Sequence, residues 1–210
     1  MTPPLRSGYA PPMKRHAPAA ERNKSYITEV LRGELVEPTT LLEIASGTGQ
    51  HAVHVAAELP HLTVQPSDAD PEAVASIAAY RDEAGIDNLL PPRQLDVEAA
   101  SWNGLAKVGA MLCCNMVHIA PWTAAQGLFR GAGEVLPSGG PLFLYGPFRF
   151  DGRYTAESNA TFDASLRARD PSWGVRDTAE LTALAAENGL RRERVIDMPA
   201  NNHVILFRKE

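Results

Sequence analysis

Short apolar runs alternate along this chain with stretches whose apolar positions recur every three to four residues. The runs 40–45 (TLLEIA), 62–66 (LTVQP), 92–95, 108–114 (VGAMLCC), 141–146 (PLFLYG), 192–197 and 203–208 (HVILFR) read as strands. Between them, Ala52, Val55, Ala56 and Leu59 share one helical stripe, and Ala125, Leu128, Phe129, Ala132 and Leu136 share another. Asp70 followed by Pro71 has the chemistry of an N-cap and first helical residue, which predicts a helix over 71–84 closed by Gly85. Asp177 and Glu180 have capping-box spacing ahead of Leu181, Leu184 and Ala185, and Gly189 ends that helix. Such alternation predicts an α/β fold, a mostly parallel sheet with helices on both faces.

Two segments break the rhythm. Residues 1–17 are rich in proline and predict an extended N-terminal arm, leaving 18–210 as a single domain. The stretch 147–176 is too long and too polar for a plain connection. It leaves the carboxyl end of the fifth strand, where open α/β sheets bind ligands, and so reads as an active-site lid.

Composition narrows the partners. The 210 residues carry a formal net charge of −5 with dispersed Lys and Arg, which argues against nucleic acid and for a small-molecule substrate. No apolar run approaches the roughly 20 residues that span a bilayer, and the N-terminus lacks the apolar core of a secretory signal, so a cytoplasmic protein is expected. A homodimer is one assembly the sequence allows. Cys113 and Cys114 are adjacent and should point to opposite faces of a strand, which disfavours a disulfide. His51 and His54 are three apart but have no carboxylate or cysteine partner nearby in sequence, so no metal site is expected.

The most informative joint is "LLEIASGTGQH", 41–51, where a strand breaks into glycines and then a helix. Gly47 and Gly49 permit a tight turn and close backbone approach to a ligand, and the helix behind them offers unpaired N–H groups. Glu43 lies within the first strand, Asp68 follows the second and Asp96 the third, so three acids are placed along one sheet edge. An acid after the second strand suits ribose hydroxyls, and one after the third can accept from an adenine amine.

On these residues the chain resembles the class I S-adenosylmethionine-dependent methyltransferases, with Ala45 replacing the first glycine of their Gly-x-Gly-x-Gly loop. The longer stretches "RHAPAAERNK", "EIASGTGQHAVH", "NMVHIAPW", "YGPFRFDGRYTAESNATFDASLRARDPSWGVRD" and "MPANN" resemble the methyltransferase-like 26 group, also called domain of unknown function 938, from about Arg15 to Arg208. The resemblance implies a Rossmann-like class I methyltransferase fold, with seven strands and an antiparallel last strand. It further implies S-adenosyl-L-methionine as cofactor, with Glu43, Ala45, Gly47 and Gly49 in its loop, Asp68 on the ribose, and Asp96 with Val97 at the adenine.

Methyl transfer from a sulfonium needs alignment more than it needs catalytic side chains. Candidates for the acceptor side come from loops on the cofactor face. Asn115, assigned to the cofactor, and His118 leave the fourth strand; Tyr145 and Phe148 leave the fifth; Asn201 and Asn202 lie between the last two. His118 is the expected general base and Tyr145 the expected orienting group. Asn159, Phe162 and Asp163 share a turn of a lid helix, with Asn159 and Phe162 expected at the acceptor. Among Arg15, Arg22, Asn23 and Lys24, Asn23 is the one carried forward for the cofactor. Two rival readings remain: an NAD-dependent oxidoreductase resting on the relaxed glycine pattern, and a non-catalytic or non-methylating S-adenosylmethionine-binding protein.

Overall fold

A computed structural model describes residues 14–102 and 104–210. Of the expected N-terminal arm, 1–13 lie outside the described residues. Residues 14–17 run without regular structure until Pro18 opens α1, Pro18–Glu34. The remaining elements alternate as the hydrophobic pattern predicts: β1 Thr39–Ile44, α2 Gln50–Glu58, β2 Leu62–Asp68, α3 Pro71–Ala84, β3 Arg93–Gln94, β4 Ala110–Cys114 and α4 Trp122–Val135. They continue with β5 Pro141–Gly146, β6 Arg149–Phe150, β7 Arg153–Tyr154, α5 Glu157–Arg169, α6 Thr178–Glu187, β8 Leu190–Met198 and β9 Asn202–Lys209.

Seven strands form one sheet in the order β3-β2-β1-β4-β5-β9-β8. β1 pairs in parallel with β2 and β4, and β4 with β5, while β9 runs antiparallel to both β5 and β8. The order reverses at β1, so the tips of β1 and β4 diverge into the crevice where such sheets receive ligands. The central strands β1, β4, β5 and β9 are buried on both faces over most of their length and therefore read as continuous apolar runs. Leu42, Met111, Leu144 and Phe207 pack with α4 and α6 on one side, and Leu41, Leu112, Phe143 and Leu206 with α1 and α2 on the other.

The caps sit where the sequence placed them. Asp70 accepts from the Glu72 N–H, Gly85 follows α3 with φ +60°, and Asp177 and Glu180 complete a capping box on α6. Cys113 and Cys114 do point to opposite faces of β4, each against a different core. Two differences stand out. β8 extends over nine residues rather than six because its charged "RRERVIDM" positions lie on an edge strand, where polar residues are no obstacle to pairing and discourage a further strand. The 147–176 excursion also folds a small hairpin, β6–β7, ahead of α5.

Candidate active site

Beyond β1 the backbone turns at Ala45, Gly47 and Gly49, with φ of +54°, +57° and +95°. A Cβ on Gly49 would stand 2.9 Å from the Ile77 Cα, so this glycine also lets α2 close on α3. Gly47 differs: a Cβ there would meet nothing nearer than the Ala45 carbonyl at 4.0 Å. Bare backbone thus faces open space directly ahead of the α2 N-terminus, a region favourable to electron-rich ligand groups.

The Asp68 side chain organises this edge. Its Oδ2 accepts from the Gly47 N–H at 2.8 Å and its Oδ1 from the Asp70 N–H at 3.0 Å. The carboxylate therefore ties the tip of β2 to the glycine loop, and each oxygen keeps a lone pair for a hydroxyl. Asp96 is exposed and accepts from the Glu98 N–H at 2.9 Å, while its neighbour Val97 is buried. Gly127 lets α4 lie against the Val97 carbonyl, which a Cβ there would overlap.

Beyond the ends of β4 and β5 lies a cavity of about 670 Å³. Asn23, Asn115, Tyr145, Asn159, Phe162 and Asn202 all contribute to its wall, so six residues chosen from five places along the chain meet in one chamber. Asn115 is held at φ +61° beyond β4, a left-handed backbone that asparagine tolerates and that turns the chain out of the sheet. Tyr145 is 3% exposed, and burial raises its phenol pKa, partly opposed by the Asn23 amide beside it. The hydroxyl is thus a neutral donor at physiological pH. Asn159 donates to Thr155 Oγ1 and to the Asn201 carbonyl, both at 2.9 Å, which locks the lid helix α5 to the loop before β9.

Wall residues that sequence reasoning missed include Tyr26 on α1, Ile119 beyond β4 and Ala200 before β9. Tyr26 and Ile119 are large apolar residues left half exposed, a signal visible only once α1 is placed over the sheet edge.

Four expected site residues are placed elsewhere. His118 is fully buried outside the cavity wall: its Nδ1 accepts from the Arg176 N–H at 3.2 Å, its carbonyl accepts from the Gly174 N–H, and burial lowers its pKa to about 3. An imidazole so enclosed has no access to an acceptor and does not fit the role of general base. It anchors the end of the 147–176 excursion, together with Arg176, whose guanidinium binds the Val117, Ala120 and Ser172 carbonyls. Phe148 is also fully buried, edge-on to His118 at 4.8 Å, and so packs rather than binds. Asn201 is exposed at the rim and donates to Ser158 Oγ at 3.2 Å. Glu43, expected beside the cofactor, supports the loop through its carbonyl, which accepts from Ser46 Oγ and Ser67 Oγ. Its carboxyl is 2% exposed and turned inwards, and burial raises its pKa to about 8 although the Ser46 contact opposes this.

Asp163 is closed within the lid. It accepts from the Val175 N–H at 2.6 Å, the Tyr154 hydroxyl at 2.9 Å and Arg167 Nε at 2.8 Å, so most of its capacity serves the fold of 147–176.

Solved structures share this architecture. An O-methyltransferase family 2 protein from Planctomyces limnophilus, solved with apigenin, is 18% identical with a TM-score of 0.72, over 90% of this chain and 62% of that one. An O-methyltransferase family protein from Burkholderia thailandensis is 15% identical with a TM-score of 0.78, over 91% and 57%. Human N-acetylserotonin methyltransferase, solved with SAM, is 14% identical with a TM-score of 0.74, over 91% and 52%. The chain thus spans less than two thirds of each of these proteins. The family model described as "Protein of unknown function (DUF938)" matches residues 14–209. With that match over nearly its whole length and this sheet order, the chain belongs to the DUF938 family and has a class I methyltransferase fold.

Proposed function

We propose that this protein is an S-adenosylmethionine-dependent methyltransferase acting on a small molecule at an O, N or S atom. The observation that carries the reading is the partly exposed backbone at Gly47, fixed by Asp68, in the same fold as the chamber bounded by Asn115 and Tyr145. The residues fit an adenosyl group: Asp68 retains lone pairs for ribose hydroxyls, Asp96 and Val97 border the adenine side, and Ala45, Gly47 and Gly49 supply the loop. Asn23 and Asn115 line the chamber. When bound, the cofactor supplies an electrophilic methyl group on a sulfonium.

The chain's own part is to bind, align and exclude water. Asn159 and Asn202 offer amide donors and acceptors to a polar acceptor, Phe162 and Tyr26 cover its apolar parts, and the Tyr145 hydroxyl orients it. With His118 sealed off, no histidine among the described residues lines the chamber, which favours acceptors already nucleophilic at neutral pH. The Asp68 anchorage of the glycine loop and the second acid at Asp96 favour this reading over NAD-dependent hydride transfer.

The test is transfer of labelled methyl from S-adenosylmethionine into the small-molecule fraction of a cell extract. Protein-dependent labelling of a low-mass compound supports the proposal. Cofactor binding without any labelled product would favour a non-methylating role.

A further inference from the structure

Behind the chamber wall three side chains from three elements converge: Glu43 on β1, His51 on α2 and Cys114 at the end of β4. One ligand-type atom from each lies within 4.8 Å of the other two. Their sequence spacing carries no ligand pattern; parallel pairing of β1 with β4 and the start of α2 beyond the glycine loop bring them together.

The contacts within the cluster are unusual for a group that serves only packing. Glu43 Oε2 is buried and has no hydrogen-bond partner among the described residues. Leaving a carboxyl oxygen dry and unpartnered is costly. Glu43 Oε1 faces His51 Nδ1 at 3.6 Å, beyond hydrogen-bond range. It is, however, close to the roughly 3.3–3.7 Å edge between neighbouring ligands of a tetrahedral ion with bonds of about 2.0–2.3 Å. The other imidazole nitrogen, Nε2, donates to Asn23 Oδ1 at 2.7 Å. That bond places the proton on Nε2 and leaves the Nδ1 lone pair directed at the carboxyl, the arrangement in which an outer hydrogen bond fixes a ligating histidine. Cys114 retains partial exposure, and its neighbour Asn115 lines the chamber.

We propose that Glu43, His51 and Cys114 bind one divalent cation of the zinc class, with a fourth position left for water or a group from the chamber side. One carboxylate oxygen, one neutral imidazole and one thiolate form a mixed oxygen, nitrogen and sulfur set suited to zinc and disfavouring magnesium or calcium. The ion would join β1, α2 and β4, whose ends carry the glycine loop and Asn115. It would also hold His51 against Asn23, and so stiffen the wall at the place where Asn23 meets Tyr145. Its role is positional and stands whether or not the proposed methyl transfer is correct.

The experiment is cobalt(II) titration of chelator-stripped protein. The expected result is one equivalent bound, with intense tetrahedral visible bands and a thiolate-to-cobalt charge-transfer band in the near ultraviolet. Cys114→Ser should lose the charge-transfer band, and Glu43→Gln should weaken binding at least tenfold. Zinc should raise the thermal midpoint of the stripped wild type more than that of stripped Cys114→Ser. Since serine is nearly isosteric, stripped Cys114→Ser should itself unfold within a few degrees of the stripped wild type, which separates lost metal from a lost fold. Absence of a charge-transfer band in the wild type, or equal cobalt affinity and zinc stabilisation in all three proteins, would overturn the proposal.

Discussion

The two halves of the candidate site are built by different means. The glycine-loop edge, proposed as the nucleoside seat, is made from backbone at the tips of adjacent strands, with Asp68 holding the Gly47 N–H across β1 and β2. The chamber is made from side chains on α1, the β4 and β5 exits, the lid helix α5 and the loop before β9. A backbone seat leaves little room for variation because its φ values and hydrogen bonds define it. A chamber assembled from distant side chains can change its contents without changing the fold. The first half therefore tolerates less change than the second.

That contrast can be broken most sharply at Gly47. Gly47→Val places a branched side chain at φ +57° and into the open space of the seat. Affinity for S-adenosylhomocysteine should fall at least ~100-fold, about 3 kcal/mol, by calorimetry. A smaller loss is expected from Asp68→Ala, which removes the acceptor of the Gly47 N–H. Binding should weaken by roughly 10- to 30-fold, or about 2 kcal/mol. If either variant binds as wild type, the seat lies elsewhere.

On the chamber side, the sealed His118 gives a pH signature in stability. Its folded pKa of about 3 lies below the ordinary 6.5, so the unfolded chain takes up a proton first as the solution is acidified. The contribution is complete above pH 6.5 and is lost as pH falls towards 3, at up to ~1.4 kcal/mol per pH unit. Denaturant melts of His118→Gln should show a shallower decline between pH 6.5 and 4.5 than the wild type. Equal slopes would mean that the imidazole is solvated and available as a base after all. The smallest effect is expected at Ala45, which occupies the left-handed region that glycine enters without strain. Ala45→Gly should stabilise the fold or leave it unchanged, by 0 to about +1 kcal/mol in the same melts, with cofactor affinity preserved.

Much of the fold was legible because its signals are local. The apolar stripe of α2, the Asp70–Pro71 start and the Asp177–Glu180 box each depend on residues a few positions apart. The same holds for the glycine loop and for the placement of Asp68 at the end of β2, against that loop. What escaped the sequence depends on depth and long-range packing. His118 leaves a strand tip like Asn115, yet Arg176 and Gly174, nearly 60 residues later, close over it. Phe148 follows it into the core. Glu43 was expected at the ligand, but strand alternation turns its carboxyl to the α1 and α2 side, where His51 and Cys114 meet it. Tyr26 carried no motif at all, and only the docking of α1 brings it to the chamber.

The central claim is that the β1 loop and Asp68 seat an adenosyl group with a sulfur-bearing tail. Calorimetric titration of ligand-stripped protein with S-adenosylhomocysteine, and separately with NAD, tests it most directly. Saturable 1:1 heat with the first and none with the second is the predicted result. Heat with NAD alone, or with neither compound, would contradict the account.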